Sequence, residues 1–133
     1  MRIIIAIIFI TNLPLISEAQ AEQTISSVCK QVSTQWKLDS NSCKGDRLML
    51  SRLFSNARPD SLTKSFLIST LGQPNLIQKY YVGYSERKNY VEYSYYIYQD
   101  ECPKMRFIGT AIVFVFDESE THFIRLENKE YSW

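Results

Sequence analysis

The sequence predicts an α+β domain: two N-terminal helices packed on one face of a three- or four-stranded antiparallel sheet. Three observations predict it. Apolar residues recur at three- and four-residue steps over 46–58 and again over 63–72, the period of a helix with one buried face. After Asn75 the period shortens to two, that of a half-buried strand. Helical segments come first and strands follow, and elements segregated in this way pack as a helical layer against an antiparallel sheet.

Each element has a local justification. Gly45-Asp46 opens the first helix, with Asp46 placed to cap first-turn amides. Leu50, Leu53, Phe54 and Ala57 share one face, and Pro59 ends the helix. Ser61 or Thr63 caps the second helix, whose apolar positions are Phe66, Leu67 and Leu71, with Ile68 at the margin. Gly72 and Pro74 stop it, because glycine takes the left-handed conformation that closes a helix and proline cannot continue one. Leu76 to Val82 reads as a short strand and Gly83 to Asn89 as a charged turn. Val91, Tyr93, Tyr95 and Ile97 then alternate with Glu92, Ser94, Tyr96 and Tyr98, and the first set is expected to face inward. Gln99 to Lys104 forms a loop. Phe107 to Phe116 is apolar on both sides, which places it centrally in the sheet. Asp117 to Glu120 makes a hairpin turn. Thr121 to Glu127 returns with His122, Ile124 and Leu126 on one face and Phe123 and Arg125 on the other.

Upstream of the domain, Arg2 precedes an apolar run from Ile3 to Ile10, broken by Asn12 and Pro14 and followed by Ala19-Gln20-Ala21. This is the layout of a secretory signal peptide, and the run falls short of the roughly 20 apolar residues a spanning helix needs. Residues 1–21 are therefore expected to be a leader cleaved near Ala21, with the product in the periplasm or outside the cell. The first cysteine, Cys29, follows Val28 rather than a small residue, so no lipid anchor is expected. Residues 22–44 are polar and read as an irregular N-terminal arm with Trp36 resting on the body; 45–133 form the globular domain.

A net charge of +1, with no run of like charge beyond two residues, argues against nucleic acid and anionic membrane as partners. An exported chain with three cysteines is expected to form one disulfide and leave one thiol. Cys29–Cys43 closes a short loop around Trp36 and would stabilise by about 3 kcal/mol; it is the expected pair. Cys43–Cys102, which would tie the arm to the sheet, is the alternative. The remaining thiol acts as a small buried apolar residue. There is no CxxC pair, and His122 is the single histidine, so neither a metal nor a cofactor is expected.

Catalysis is not expected either. A nucleophile needs a base within hydrogen-bond reach, and Asp117, Glu118 and Glu120 cluster at a hairpin tip rather than across a cleft. The glycines are scattered singly, without a phosphate-binding loop. Tyrosine usage is the positive signal. Tyr80 to Tyr98 holds eight of the chain's nine tyrosines. Tyr93 and Tyr95 are expected to pack under the helices. Tyr81, Tyr84, Tyr90, Tyr96 and Tyr98 are expected on the open face or its adjoining turn as partner-binding residues, because tyrosine brings contact area and a polar tip with few rotors to freeze.

The stretch TKSFLISTLGQP, Thr63 to Pro74, resembles the second helix and "LGxP" stop of the BamE/SmpA-like domains, small envelope proteins built as two helices and a three-stranded meander. Tyr93-Ser94-Tyr95 and the run Ile112 to Asp117 sit where that family has its "YxY" strand and its "FxFD" strand, so the likeness covers about Asp46 to Asn128. Trp36 to Cys43, followed by Arg47, resembles an N-terminal signature of short exported bacterial proteins that carry the same LGxP helix. The resemblance implies a non-catalytic, exported protein-binding module of the bacterial cell envelope, with an envelope or secreted protein as partner. Related two-helix-plus-sheet units in secreted beta-lactamase inhibitors imply an alternative, an enzyme inhibitor or immunity protein acting through the open sheet face. The chain departs from the family in lacking an anchoring cysteine and in its long cysteine-bearing arm. Partner identity and oligomeric state stay open at this level.

Overall fold

The structure, a computed structural model, describes residues 23–83, 88–99 and 108–132. The expected leader, Tyr84 and Cys102 lie outside them. Among the described residues three helices precede four strands: α1 Ile25–Leu38, α2 Asp46–Ser51 continued by a 3-10 turn Arg52–Phe54, α3 Lys64–Leu71, then β1 Leu76–Val82, β2 Lys88–Gln99, β3 Ile108–Asp117 and β4 Phe123–Ser132. The strands form one antiparallel meander in the order β1-β2-β3-β4. The class is α+β, with a four-stranded antiparallel sheet. No described helix is long and apolar enough to cross a membrane.

The expected irregular arm is largely α1, the longest of the described helices. Thr24 caps it, its hydroxyl accepting from the Ser27 amide at 3.2 Å. Ile25, Val28, Cys29, Val32 and Trp36 form its buried stripe, three and four residues apart. Backbone bonds between Gln23 and Arg58 and between Ile25 and Arg58 pin its start to the segment before α3. The Lys37 ammonium donates to the Ser69 carbonyl at 2.7 Å, tying its end to α3.

The helix expected over 46–58 is shorter, because the chain tightens into a 3-10 turn at Arg52. Asp46 makes no capping bond. Asp39 does that work from the end of α1, accepting from the Lys44 amide at 2.9 Å and the Arg47 amide at 3.1 Å. Leu53 lies exposed, while Phe54 is buried. Over α3 the local signals hold: Thr63 caps the Phe66 amide at 3.2 Å, and Gly72 closes the helix at φ 82°.

The sheet's two faces follow from the register. Val91, Tyr93 and Tyr95 of β2 and Ile112, Phe114 and Phe116 of β3 share one buried cluster with Ile25, Val28, Val32, Trp36, Phe54, Leu62, Leu67 and Leu71. Ala111, Val113 and Val115 form a second cluster on the opposite face, with Tyr80, Tyr90, Tyr96 and Tyr131 packed around it. β3 is thus buried on both faces, as its composition predicts. β4 breaks its expected alternation. Phe116 pairs with Phe123 and Val115 with Arg125, so Ile124 is extra, and Phe123 and Leu126 both join the helix-side core.

A second irregularity falls between Tyr96 and Tyr98, which oppose Ala111 and Thr110. The turned backbone brings the Tyr98 carbonyl against Gly109, where an added Cβ would lie 1.9 Å from that oxygen. Gly109→Ala is therefore expected to force the pair apart and destabilise by about 1–3 kcal/mol. A urea melt unchanged from wild type would show that the strands accommodate the methyl group.

Cysteine pairing also departs from expectation. Cys29 is a free, fully buried thiol, so the Cys29–Cys43 bridge is not formed. Its place in the α1 stripe turns the sulfur into the helical core, where burial pushes the thiol pKa up to about 12 against a smaller lowering by the Thr70 hydroxyl. Cys43 is disulfide-bonded. Non-reducing peptide mapping is expected to link Cys43 to Cys102, with Cys29 alkylated only after denaturation. Rapid native labelling of Cys29 would overturn this assignment.

Candidate functional site

The candidate surface is the sheet face opposite the helices. Its central floor is small: Ala111, Val113 and Val115 from β3 and Ser94 from β2, all fully buried. Longer side chains from the neighbouring strands roof it. Tyr80 of β1 stacks on Tyr90 of β2, ring centroids 5.4 Å apart. Tyr96 lies 6.4 Å from Tyr131, whose hydroxyl is 3.1 Å from the Ser94 hydroxyl. Among the described residues no second layer covers this face, and these large amphipathic side chains keep water from its central strand.

Charged groups complete the roof. Glu92 is almost fully buried and ion-paired with Lys129, whose ammonium also lies 5.7 Å from the Tyr80 ring centre. Arg125 pairs with Glu127, donates to the Tyr80 hydroxyl at 2.7 Å and sits 5.6 Å from the Tyr90 ring centre. The Arg125 and Lys129 charges hold the Glu127 carboxyl below its ordinary pKa, the hydrogen bond from Arg125 being the largest cause. A groove of about 450 Å³ runs between these groups, lined by Gln78, Tyr80, Glu92, Arg125, Glu127 and Lys129. It offers both signs of charge beside aromatic rings and presents no apolar enclosure for a small molecule.

The expected binding residues divide. Tyr90 and Tyr96 lie on this face but are half-buried as roof elements. Tyr81 is 66% exposed, yet it opposes Asn89 and so belongs to the helix-side parity of β1, at an edge the helices leave uncovered. Tyr98 is 41% exposed, and the bulge takes it out of the Tyr96 row. Tyr93 and Tyr95 are fully buried inward as expected, with the Tyr95 hydroxyl donating to the Gly72 carbonyl at 2.8 Å. Tyr80, Arg125, Glu127 and Lys129 were absent from the expected set. The alternation of β4, with Arg125, Glu127 and Lys129 in step, was the signal that could have found the charged row.

Two other polar clusters hold the surface in place. At the β3–β4 hairpin, the Asp117 carboxylate accepts from the Thr121 amide at 2.9 Å and the His122 amide at 3.1 Å, with the His122 ring 2.9 Å away. Those bonds, the His122 amide first, hold the Asp117 carboxyl well below the usual carboxylate range. Glu120 accepts from the Lys64 ammonium at 2.8 Å and from the Tyr93 hydroxyl, clamping α3 to the hairpin. Its carboxyl is lowered too, Lys64 being the largest cause. Both groups have depressed folded-state values, so their contribution is present above the unfolded carboxylate range, about 4, and is lost as pH falls below it. Protection of the Thr121 and His122 amides, corrected for the intrinsic pH dependence of exchange, is expected to fall as pH drops below about 4; protection that stays flat to the acid limit would remove the Asp117 contribution.

The second cluster is buried beneath α2. Arg47 donates from Nε to the Trp36 carbonyl at 3.0 Å and from Nη1 to Asn75 Oδ1 at 3.0 Å and the Tyr96 carbonyl at 3.3 Å. Its guanidinium lies 5.1 Å from the Trp36 ring centre. Asn75 in turn accepts from the Tyr96 amide at 2.9 Å and donates to the Ser40 carbonyl at 3.2 Å. The Trp36-to-Cys43 signature and Arg47 therefore build a latch between the α1–α2 connection and β2. Burial lowers the Arg47 pKa, with the Asp39 charge opposing.

Among the described residues, no group of three His, Cys, Asp or Glu side chains is placed to hold a metal. Compared with known proteins, the chain matches no family model, no curated protein and no solved structure.

Proposed function

We propose that the protein is a non-catalytic, exported protein-binding module of the cell envelope, and that it docks its partner on the sheet face opposite the helices. The observation that carries this reading is the groove beside the Tyr80–Tyr90 stack, where aromatic area and paired charges meet on a face that no second layer covers among the described residues. Aromatic side chains and arginine are what protein interfaces are enriched in. The leader-like N-terminus and the likeness to BamE/SmpA-like domains, with helices as a layer over the other face, support the envelope setting.

A photo-crosslinking residue placed at Gln78, inside the groove, is expected to form protein adducts in whole cells. The same residue at Met49, exposed on α2, is the comparison. Adducts from Met49 alone, or from neither site, would sink the reading.

A further inference from the structure

We propose that β4 is a self-pairing edge and that the protein is a two-fold dimer joined by antiparallel β4–β4 pairing about Asn128. Among the described residues β4 ends the sheet, so every second residue of it turns its backbone N–H and C=O toward an edge that no described strand covers. Two copies of one strand can continue a sheet only where residues of the same face oppose each other. On the open face β4 reads Arg125, Glu127, Lys129, Tyr131, set by their partners Val115, Val113, Ala111 and Gly109.

Centred on Asn128, the antiparallel copy sets Glu127 opposite Lys129 twice and Arg125 opposite Tyr131 twice. Both combinations attract: opposite charges across a pair stabilise it, and guanidinium packs on a phenol ring. Centring one residue earlier would instead set Glu127 against itself and Arg125 against Lys129. Centring on Leu126 would also oppose opposite charges, Arg125 and Glu127, but it runs the new ladder into the irregularity at Ile124, so charge order and the bulge together select Asn128. Arg125, Asn128 and Glu130 are exposed, and Glu127, Lys129 and Tyr131 are half-exposed. The other edge lacks this property: β1 carries Lys79 at its midpoint, where self-pairing would oppose like charges. Joined through β4, two four-stranded sheets become one eight-stranded sheet, and the two charged grooves, each lined by Arg125, Glu127 and Lys129, become neighbours.

The proposal does not rest on the partner-binding reading, because the test uses the purified protein alone. Light scattering with size exclusion is expected to give twice the chain mass. E127K, which sets Lys opposite Lys129, is expected to give the chain mass with an unchanged circular dichroism spectrum. In case that variant fails to fold, Asn128→Cys provides a second arm. Facing residues in an antiparallel pair have Cα atoms about 4.5–5.5 Å apart, within the span of a disulfide, so mild oxidation is expected to yield a covalent dimer. Lys79→Cys on β1 is expected to stay monomeric under the same oxidation. A monomeric wild type, a dimer that N128C does not lock, or locking through Lys79→Cys would each overturn the proposal.

Discussion

Replacing Arg47 with alanine is expected to destabilise the fold by about 3–5 kcal/mol, the usual result of removing one member of a buried charged network. The side chain is almost fully buried and donates to three acceptors, two of them main-chain carbonyls at Trp36 and Tyr96. Alanine would remove the guanidinium donors from both carbonyls, the Trp36 one keeping only the 3.3 Å bond from the Asp39 amide, and a buried hydrogen bond to a charged donor contributes about 1.5–3 kcal/mol. It would also remove the cation that the buried Asp39 carboxylate stabilises and uncover the Trp36 ring. Arg47→Lys is expected to rescue little, since a single ammonium cannot reproduce a planar fork that spans three acceptors. For a domain near 100 residues the alanine loss corresponds to a fall in melting temperature of roughly 12 °C or more. A thermal melt lowered by only a few degrees would mean that water enters the latch.

Much of the fold could be read from local pattern. The Gly72 stop, the Thr63 cap and the two-residue alternation of β2 each express a rule that operates within a few residues; the structure follows the first two, and the third from Val91 as far as the bulge after Tyr96. α1 escaped for a physical reason. Its stripe has five apolar members in a polar helix, and two of them, Cys29 and Trp36, were assigned other work, a bridge and a surface contact. Returning Cys29 to the apolar set restores the helical period. The bulges at Tyr96–Tyr98 and at Ile124 set which side chains share a face, yet they arise from pairing between strands and leave no mark in either strand alone. For the same reason the candidate surface was half legible. Tyrosine enrichment pointed to the right strand, but the Glu92–Lys129 pair and the Arg125–Tyr80 bond join residues 37 and 45 positions apart. No spacing rule reaches that far.

Phe114→Ala is expected to cost about 3–5 kcal/mol, the range for truncating a fully buried phenylalanine without collapse of the cavity. Collapse is blocked because Phe114 is the hub of an aromatic set, 5.8 Å from Phe54, 5.7 Å from Tyr95 and 6.3 Å from Phe123. Those rings come from the helical layer and from both neighbouring strands, so none can move into the void without abandoning another contact. Val113, the next residue, is equally buried but faces the opposite way, under side chains from the sheet itself. Long side chains can settle over the two lost methyl groups, and Val113→Ala is expected to cost only about 1–2 kcal/mol. Urea unfolding measures both losses, and because Phe114→Ala removes about six carbons against two for Val113→Ala, the Phe114 loss must be the larger if the helix-side face carries the main core. If Val113→Ala proved the more damaging, the open face would be the true core of the molecule, and a docking role for it would be untenable.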